Sequence, residues 1–185
     1  MGDLVNVTII GLNHRVQWED PTGDLQSLIE HLVEDRRVEL IAEEAYKLPT
    51  TVGFRVACRA NKLWIEIDMT DSERLQAGIC DELESRSSPE WKDDGSMVTA
   101  VNYLPHADGV REAHWLETIL NHHVNSELVI CGLLHMRPFA EKLRQKGCTV
   151  NESINVCDLD WCKKRFGPCE VMEVNGRRWC EIPAK

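Results

Sequence analysis

No stretch of the 185 residues approaches the roughly 18 consecutive apolar side chains that a membrane span requires. The opening MGDLVNVTIIG has no basic n-region and runs straight into a strand pattern, so it does not read as a signal peptide. It also lacks the Ser or Thr at position six that a myristoylation signal carries. Positive charge is scarce: 21 Lys and Arg stand against 31 Asp and Glu, a formal net charge of −10. No long run of Lys or Arg supplies the positive field that a phosphate backbone needs, so nucleic acid is not an expected partner. CxxC is absent although there are eight cysteines, and without a secretory signal reduced thiols and a cytoplasmic setting are expected.

What is present is an ordinary folding composition, 43% apolar and 28% charged, in a chain long enough for one domain with a real core. Apolar runs alternate with amphipathic ones. Strands are expected at Val5–Ile10, Val38–Ala42, Leu63 to about Asp68, Glu127–Cys131 and about Cys148–Ile154. Between them the spacing predicts a helix capped by Asp24 with Leu25, Leu28, Ile29, Leu32 and Val33 on one face. Further helices are expected over Thr51–Ala60, from a Ser72 cap towards Glu84, and over VREAHWLETILNHH with Ala113, Leu116, Ile119 and Leu120 inward. Another opens near Pro138 and stops at Gly147. This order predicts an α/β three-layer sandwich, a mainly parallel central sheet with helices on both faces, over residues 1–154. Residues 155–185 form a Cys- and Trp-containing tail packed on or extending it. The polar stretch Ser85–Gly109 is long enough to serve as a cover over a site.

Two of the apolar runs finish alike: GLNH at Gly11–His14 and GLLH at Gly132–His135. In an open parallel sheet, ligands bind outside the carboxyl ends of the strands, where strand order reverses. With the order 3-2-1-4-5 among the five expected strands, the two GxxH loops face each other across one crevice. The glycine is expected to let the chain leave the sheet sharply, and the gap of two aims the imidazole back over its edge. The same edge receives Glu43 and Glu44 from the second strand and Asp68 from the third. Two His with a carboxylate suffice for Zn, Mn or Fe, which would activate water. His14, His135 and Glu43 are the candidate ligands, with the other glutamate taking the proton. Without metal, the same set can do acid–base chemistry, His as base and a carboxylate orienting it. The plain alternative for each residue alone is an ordinary loop position.

GLNH, the acidic pair in IAEEAY, the Arg-containing VREAHWL and CGLLHMRPFAEKLRQKG together resemble the Tiki/TraB superfamily, which includes TraB/PrgY, GumN-like and erythromycin esterase proteins. The resemblance spans roughly residues 5–150 and is nearest to the small bacterial branch. It implies a metal-dependent hydrolase on an α/β scaffold, with His14 and His135 as the motif histidines, Glu43 and Glu44 as the acidic pair and Arg111 as the arginine. Arg111 would contact an anionic group or a developing oxyanion, or stand as an exposed first-turn residue. Asp68, Asn13 and Trp115 complete the candidate set.

Cysteines 157, 162, 169 and 180 are separated by four, six and ten residues, wider than compact zinc ligands, so structural zinc, disulfides and plain buried thiols all stay open. Two functions follow: a hydrolase of a peptide, ester or phosphoester bond, or a non-catalytic module binding a small ligand or a protein. The expected partner is a small-molecule or peptide substrate. Oligomerisation stays open.

Overall fold

The computed structural model describes residues 5–45, 50–79, 90–91, 97–98, 107–168, 170–174 and 177–181. Its strands are β1 (Asn6–Leu12), β2 (Leu40–Glu43), β3 (Leu63–Glu66), the short β4 (Glu90–Trp91) and β5 (Met97–Val98), β6 (Ser126–Gly132), β7 (Thr149–Asn155), β8 (Glu170–Val174) and β9 (Arg177–Glu181). Its helices are α1 (His14–Trp18), α2 (Asp24–Asp35), α3 (Val52–Ala60), α4 (Asp71–Gln76), α5 (Ala107–Leu120), α6 (Met136–Gln145) and α7 (Asp160–Phe166). Five strands pair in parallel in the order β3-β2-β6-β1-β7, while β4–β5 and β8–β9 are antiparallel pairs.

The expected α/β sandwich is therefore present, with a wholly parallel sheet. Ile10, Leu12, Ile41, Leu128 and Ile130 project to one side, against Leu25 and Ile29 of α2 and Val52 and Val56 of α3. Val7, Ile9, Ala42, Val129 and Cys131 project to the other, against Trp115 and Ile119 of α5 and Phe139 and Leu143 of α6. This is the period-2 alternation of strands buried on both faces. Val156, Cys162 and Phe166 join the first cluster, so the beginning of the expected tail packs into the sandwich. Among the described residues no helix is long and apolar enough to cross a membrane.

Strand order departs from expectation. β6 lies between β2 and β1, so the order in terms of the five parallel strands is 3-2-4-1-5. Both β1 and β6 are apolar on both faces, and hydrophobicity alone does not rank them for the central place. Their adjacency holds, with Leu12 opposite Gly132. The cap of α2 also differs: Gly23, at φ 76°, takes the N-cap position and Asp24 opens the helix. Asp20 supplies the missing acceptor, taking hydrogen bonds from the Leu25 and Gln26 N–H groups. α4 is capped by Thr70 rather than Ser72, in a reciprocal box with Glu73, and ends at Gln76. Of the stretch 85–109, residues 107–109 open α5, and most of the remainder lies outside the described residues.

One polar group sits badly in this core. Glu127 of β6 is 1% exposed, and its Oε2 finds no hydrogen-bond partner among the described residues. Burial pushes this carboxyl from an ordinary 4.5 up to about 8. The folded state thus keeps the proton longer than the unfolded chain, and stability falls as pH rises through that interval. Glu127→Gln removes the titration while keeping the shape. Thermal melts should show no advantage for the variant below about pH 4.5 and the largest advantage above about pH 8. Parallel pH profiles for the two proteins would refute this account.

Candidate functional site

At the carboxyl edge of the sheet, β2, β6 and β1 end side by side, and each extends into one site residue. The alternation of β2 settles the acidic pair. Glu43 follows Ile41 onto the α2/α3 side, whereas Glu44 follows Ala42 onto the α5/α6 side. The two glutamates are therefore on opposite faces and cannot ligate one metal together.

Glu44, 4% exposed, is the hub. Its Oε2 accepts the Gly132 N–H at 2.7 Å, its Oε1 pairs with Arg111 Nη2, and His14 Nε2 stands 3.6 Å from Oε1. Burial alone would raise this carboxyl. His14, Arg111, His135 and the Gly132 N–H more than offset it and hold the group at about 2.

Arg111 lies on α5, whose inward face carries Arg111, Glu112, Trp115, Leu116 and Ile119, while Ala113 is exposed rather than buried as expected. Its Nε and Nη2 grip Asp68 at 3.0 and 3.1 Å, Nη2 also reaches Glu44, and Nη1 donates to His135 Nε2 at 3.3 Å. Asp108 is 3.7 Å from the same Nη1. Burial works against the charge, but Glu44 and Asp68 bind it so well that the guanidinium pKa is pushed further up. Asp68 accepts as well from Arg74 at 2.6 Å and from Trp115 Nε1 at 3.4 Å. The Trp115 ring lies edge-on to His135, 4.9 Å between centroids, and 5.2 Å from the Arg111 carbon. Arg111 is therefore buried rather than an exposed first-turn residue, and four of its five N–H groups go to Asp68, Glu44 and His135.

His135 precedes α6, and its Nδ1 bonds Glu112 Oε1 at 2.9 Å. Arg111 can only donate, so His135 Nε2 accepts and Nδ1 carries the hydrogen. Burial would lower the His135 pKa, yet the Glu112 bond and the Glu44 charge push it up overall. His14, the first residue of α1, has a side chain 46% exposed. Asn13 caps that helix, its side chain accepting from the Arg15 N–H at 3.0 Å.

Behind α1 lies a second, smaller network. Glu43 accepts from Thr51 Oγ1, from Trp64 Nε1 at 2.8 Å and from Gln17 Nε2 at 3.0 Å, and Gln17 Oε1 meets His14 Nδ1 at 2.8 Å. Burial raises the Glu43 carboxyl, opposed by those three donors. Gln17, Glu112, Thr51 and Trp64 were not among the sequence candidates; the signals were Gln17 one turn after His14 and Glu112 beside Arg111.

The glycines of the two GxxH stretches act differently from expectation. Neither adopts a positive φ, so no left-handed turn needs them. They are small because neighbours are close. A Cβ on Gly11 would lie 2.8 Å from Met136 Sδ, and one on Gly132 would lie 3.1 Å from His14 Nε2 and 3.3 Å from Glu44 Oε2.

The expected divalent metal does not fit this arrangement. His135 Nε2 and Glu44 Oε1 already accept from Arg111, and Glu43 is on the far face. Among the described residues no group of three or more His, Cys, Asp or Glu is placed to hold an ion. Cys157 and Cys162 are free thiols, and the side chains of Cys169 and Cys180 lie outside the described residues.

Removing Arg111 should take from Glu44 its buried cation and leave Asp68 with Arg74 alone. Arg111→Met is expected to cost about 3–5 kcal/mol in urea unfolding at neutral pH. A loss below about 1 kcal/mol, the scale of an exposed ion pair, would mean that the cluster does not hold the fold.

No family model, no curated protein and no solved structure matches the chain, so the likeness to the Tiki/TraB superfamily rests on its motif residues.

Proposed function

We propose that the chain is a hydrolase of an uncharged acyl bond, an ester or a peptide, in which His14 Nε2 takes the proton from the attacking water. The observation that carries this reading is the placement of an accessible imidazole 3.6 Å from a buried carboxylate that is held ionised. Glu44 lies beside the nitrogen that takes the proton. Glu44 cannot move away, because Gly132 and Arg111 pin its two oxygens. Arg111 and Asp68 act on this reading through Glu44, as the frame that keeps the carboxylate aimed. His135, bonded at both ring nitrogens, belongs to the same frame.

The substrate class follows from where charge is spent. A phosphoester needs cationic donors with bonds to give, and most of those of Arg111 go to the protein. A neutral acyl group makes no such demand. The binding-module reading draws its support from the same saturation, since a network whose groups satisfy one another can also line a passive crevice.

A panel of chromogenic esters and aminoacyl or peptide amides, assayed on wild type, His14→Ala and His135→Ala, separates these. His14→Ala should lower kcat by about 10²- to 10⁴-fold while its melting temperature stays near wild type. His135→Ala should lose activity together with stability, because it opens the buried cluster. Turnover should survive dialysis against a chelator. Wild-type turnover in His14→Ala would sink the proposal. A stoichiometric metal lost in that variant would restore the metal-dependent mechanism.

A further inference from the structure

His14 can serve as a base at Nε2 only if its neutral ring carries the hydrogen at Nδ1. The nearest charge argues the other way: Glu44, 3.6 Å from Nε2, attracts the proton to that nitrogen, where it would block base function. Something must hold the hydrogen on the opposite side of the ring.

Gln17 is wholly buried and lies one turn after His14 on α1. Its amide nitrogen faces two acceptors, Glu43 Oε1 at 3.0 Å and the main-chain oxygen of Glu44 at 2.8 Å. A primary amide has two N–H bonds and one oxygen, so both hydrogens are spent there. The atom 2.8 Å from His14 Nδ1 must be the amide oxygen, which accepts only. Nδ1 therefore donates and Nε2 keeps its lone pair.

The amide is itself prevented from flipping. Flipped, its oxygen would face the Glu43 carboxylate and the Glu44 carbonyl, both acceptors. Glu43 is anchored in turn by Thr51 and by the donor-only Trp64 N–H on its other oxygen. Gly53 makes the room: a Cβ there would lie 2.5 Å from Glu43 Oε2.

We propose that Gln17, seated on Glu43, is a positioning residue that holds His14 in the Nδ1–H tautomer and so keeps Nε2 available as the base. The inference rests on the hydrolase reading for its purpose, though not for its geometry. It also gives Glu43 a part different from metal ligand or proton acceptor: it fixes the amide from the far face of the sheet.

Long-range ¹H–¹⁵N correlation spectra of uniformly labelled protein test this without any substrate, with His14 assigned by its absence in His14→Ala. In wild type, the neutral His14 ring should show the protonated nitrogen at Nδ1. In Gln17→Met, of similar length but without the amide, the hydrogen should move to Nε2, and kcat should fall about 10- to 100-fold with KM unchanged. A wild-type His14 with its hydrogen on Nε2 overturns the proposal outright, whether or not the variant folds. So does a folded Gln17→Met that keeps the Nδ1–H form. A locked tautomer in a protein that hydrolyses none of the panel sinks the hydrolase reading and leaves the lock standing.

Discussion

The structure depends on one buried guanidinium. Arg111 enters the space between α5 and the sheet and is met there by Asp68 from the end of β3, Glu44 from the end of β2 and His135 from the end of β6. Taking such charges out of water costs several kcal/mol each, and mutual attraction repays it only where the geometry is good and the remaining donors are used. The two-point grip on Asp68, the shared nitrogen to Glu44 and the bond to His135 meet that condition. The cluster therefore joins three strand ends and a helix through directional bonds. It also places a cation where the motif pattern suggests a metal, and this changes which atoms remain free to react.

Much of the fold was legible. Runs such as VNVTII and ELVIC are apolar at consecutive positions because both sheet faces are covered, and Leu25, Ile29, Leu32 and Val33 recur at helical spacing because one face of α2 is covered. The convergence of His14, Glu44, Asp68 and His135 was legible too, since each follows an apolar strand. The order of β1 and β6 was not, because two equally apolar strands carry no rank. Ala113 was misassigned for a related reason. Expecting charges to face water, one turns α5 so that Ala113 points inward, yet the helix buries Arg111 and Glu112 because partners await them. Charges that are paired in the fold look solvated in the sequence.

Gln17 was hidden for a different cause. An amide one turn from a histidine is a common spacing that singles nothing out alone, and its meaning comes from Glu43, which reaches it from a strand 26 residues away. Which glutamate does what was half visible. Alternation along β2 requires Glu43 and Glu44 to part company, but it does not say which side holds the histidines. That is decided by where α5 and α1 pack, with Arg111 on one face and Gln17 on the other.

The placement of β6 bears on how such a chain comes together. β1, the earliest strand, has as its sheet neighbours β6 and β7, and no strand from the first half of the chain lies beside it. β1 and β2 lie two strand spacings apart, roughly 10 Å, with the gap filled by residues that leave the ribosome some 80 positions after β2. His14 and Glu44 therefore cannot meet when they are made. They meet when Gly132 arrives between them, presenting its N–H to Glu44 and its bare α-carbon to His14. Pairing of this kind is long-range and slow, and it leaves apolar strand edges open during synthesis. The edge that holds His14 and Glu44 is then completed only once β6 has been made, and a chain that stops short of β6 carries these residues without the arrangement around them.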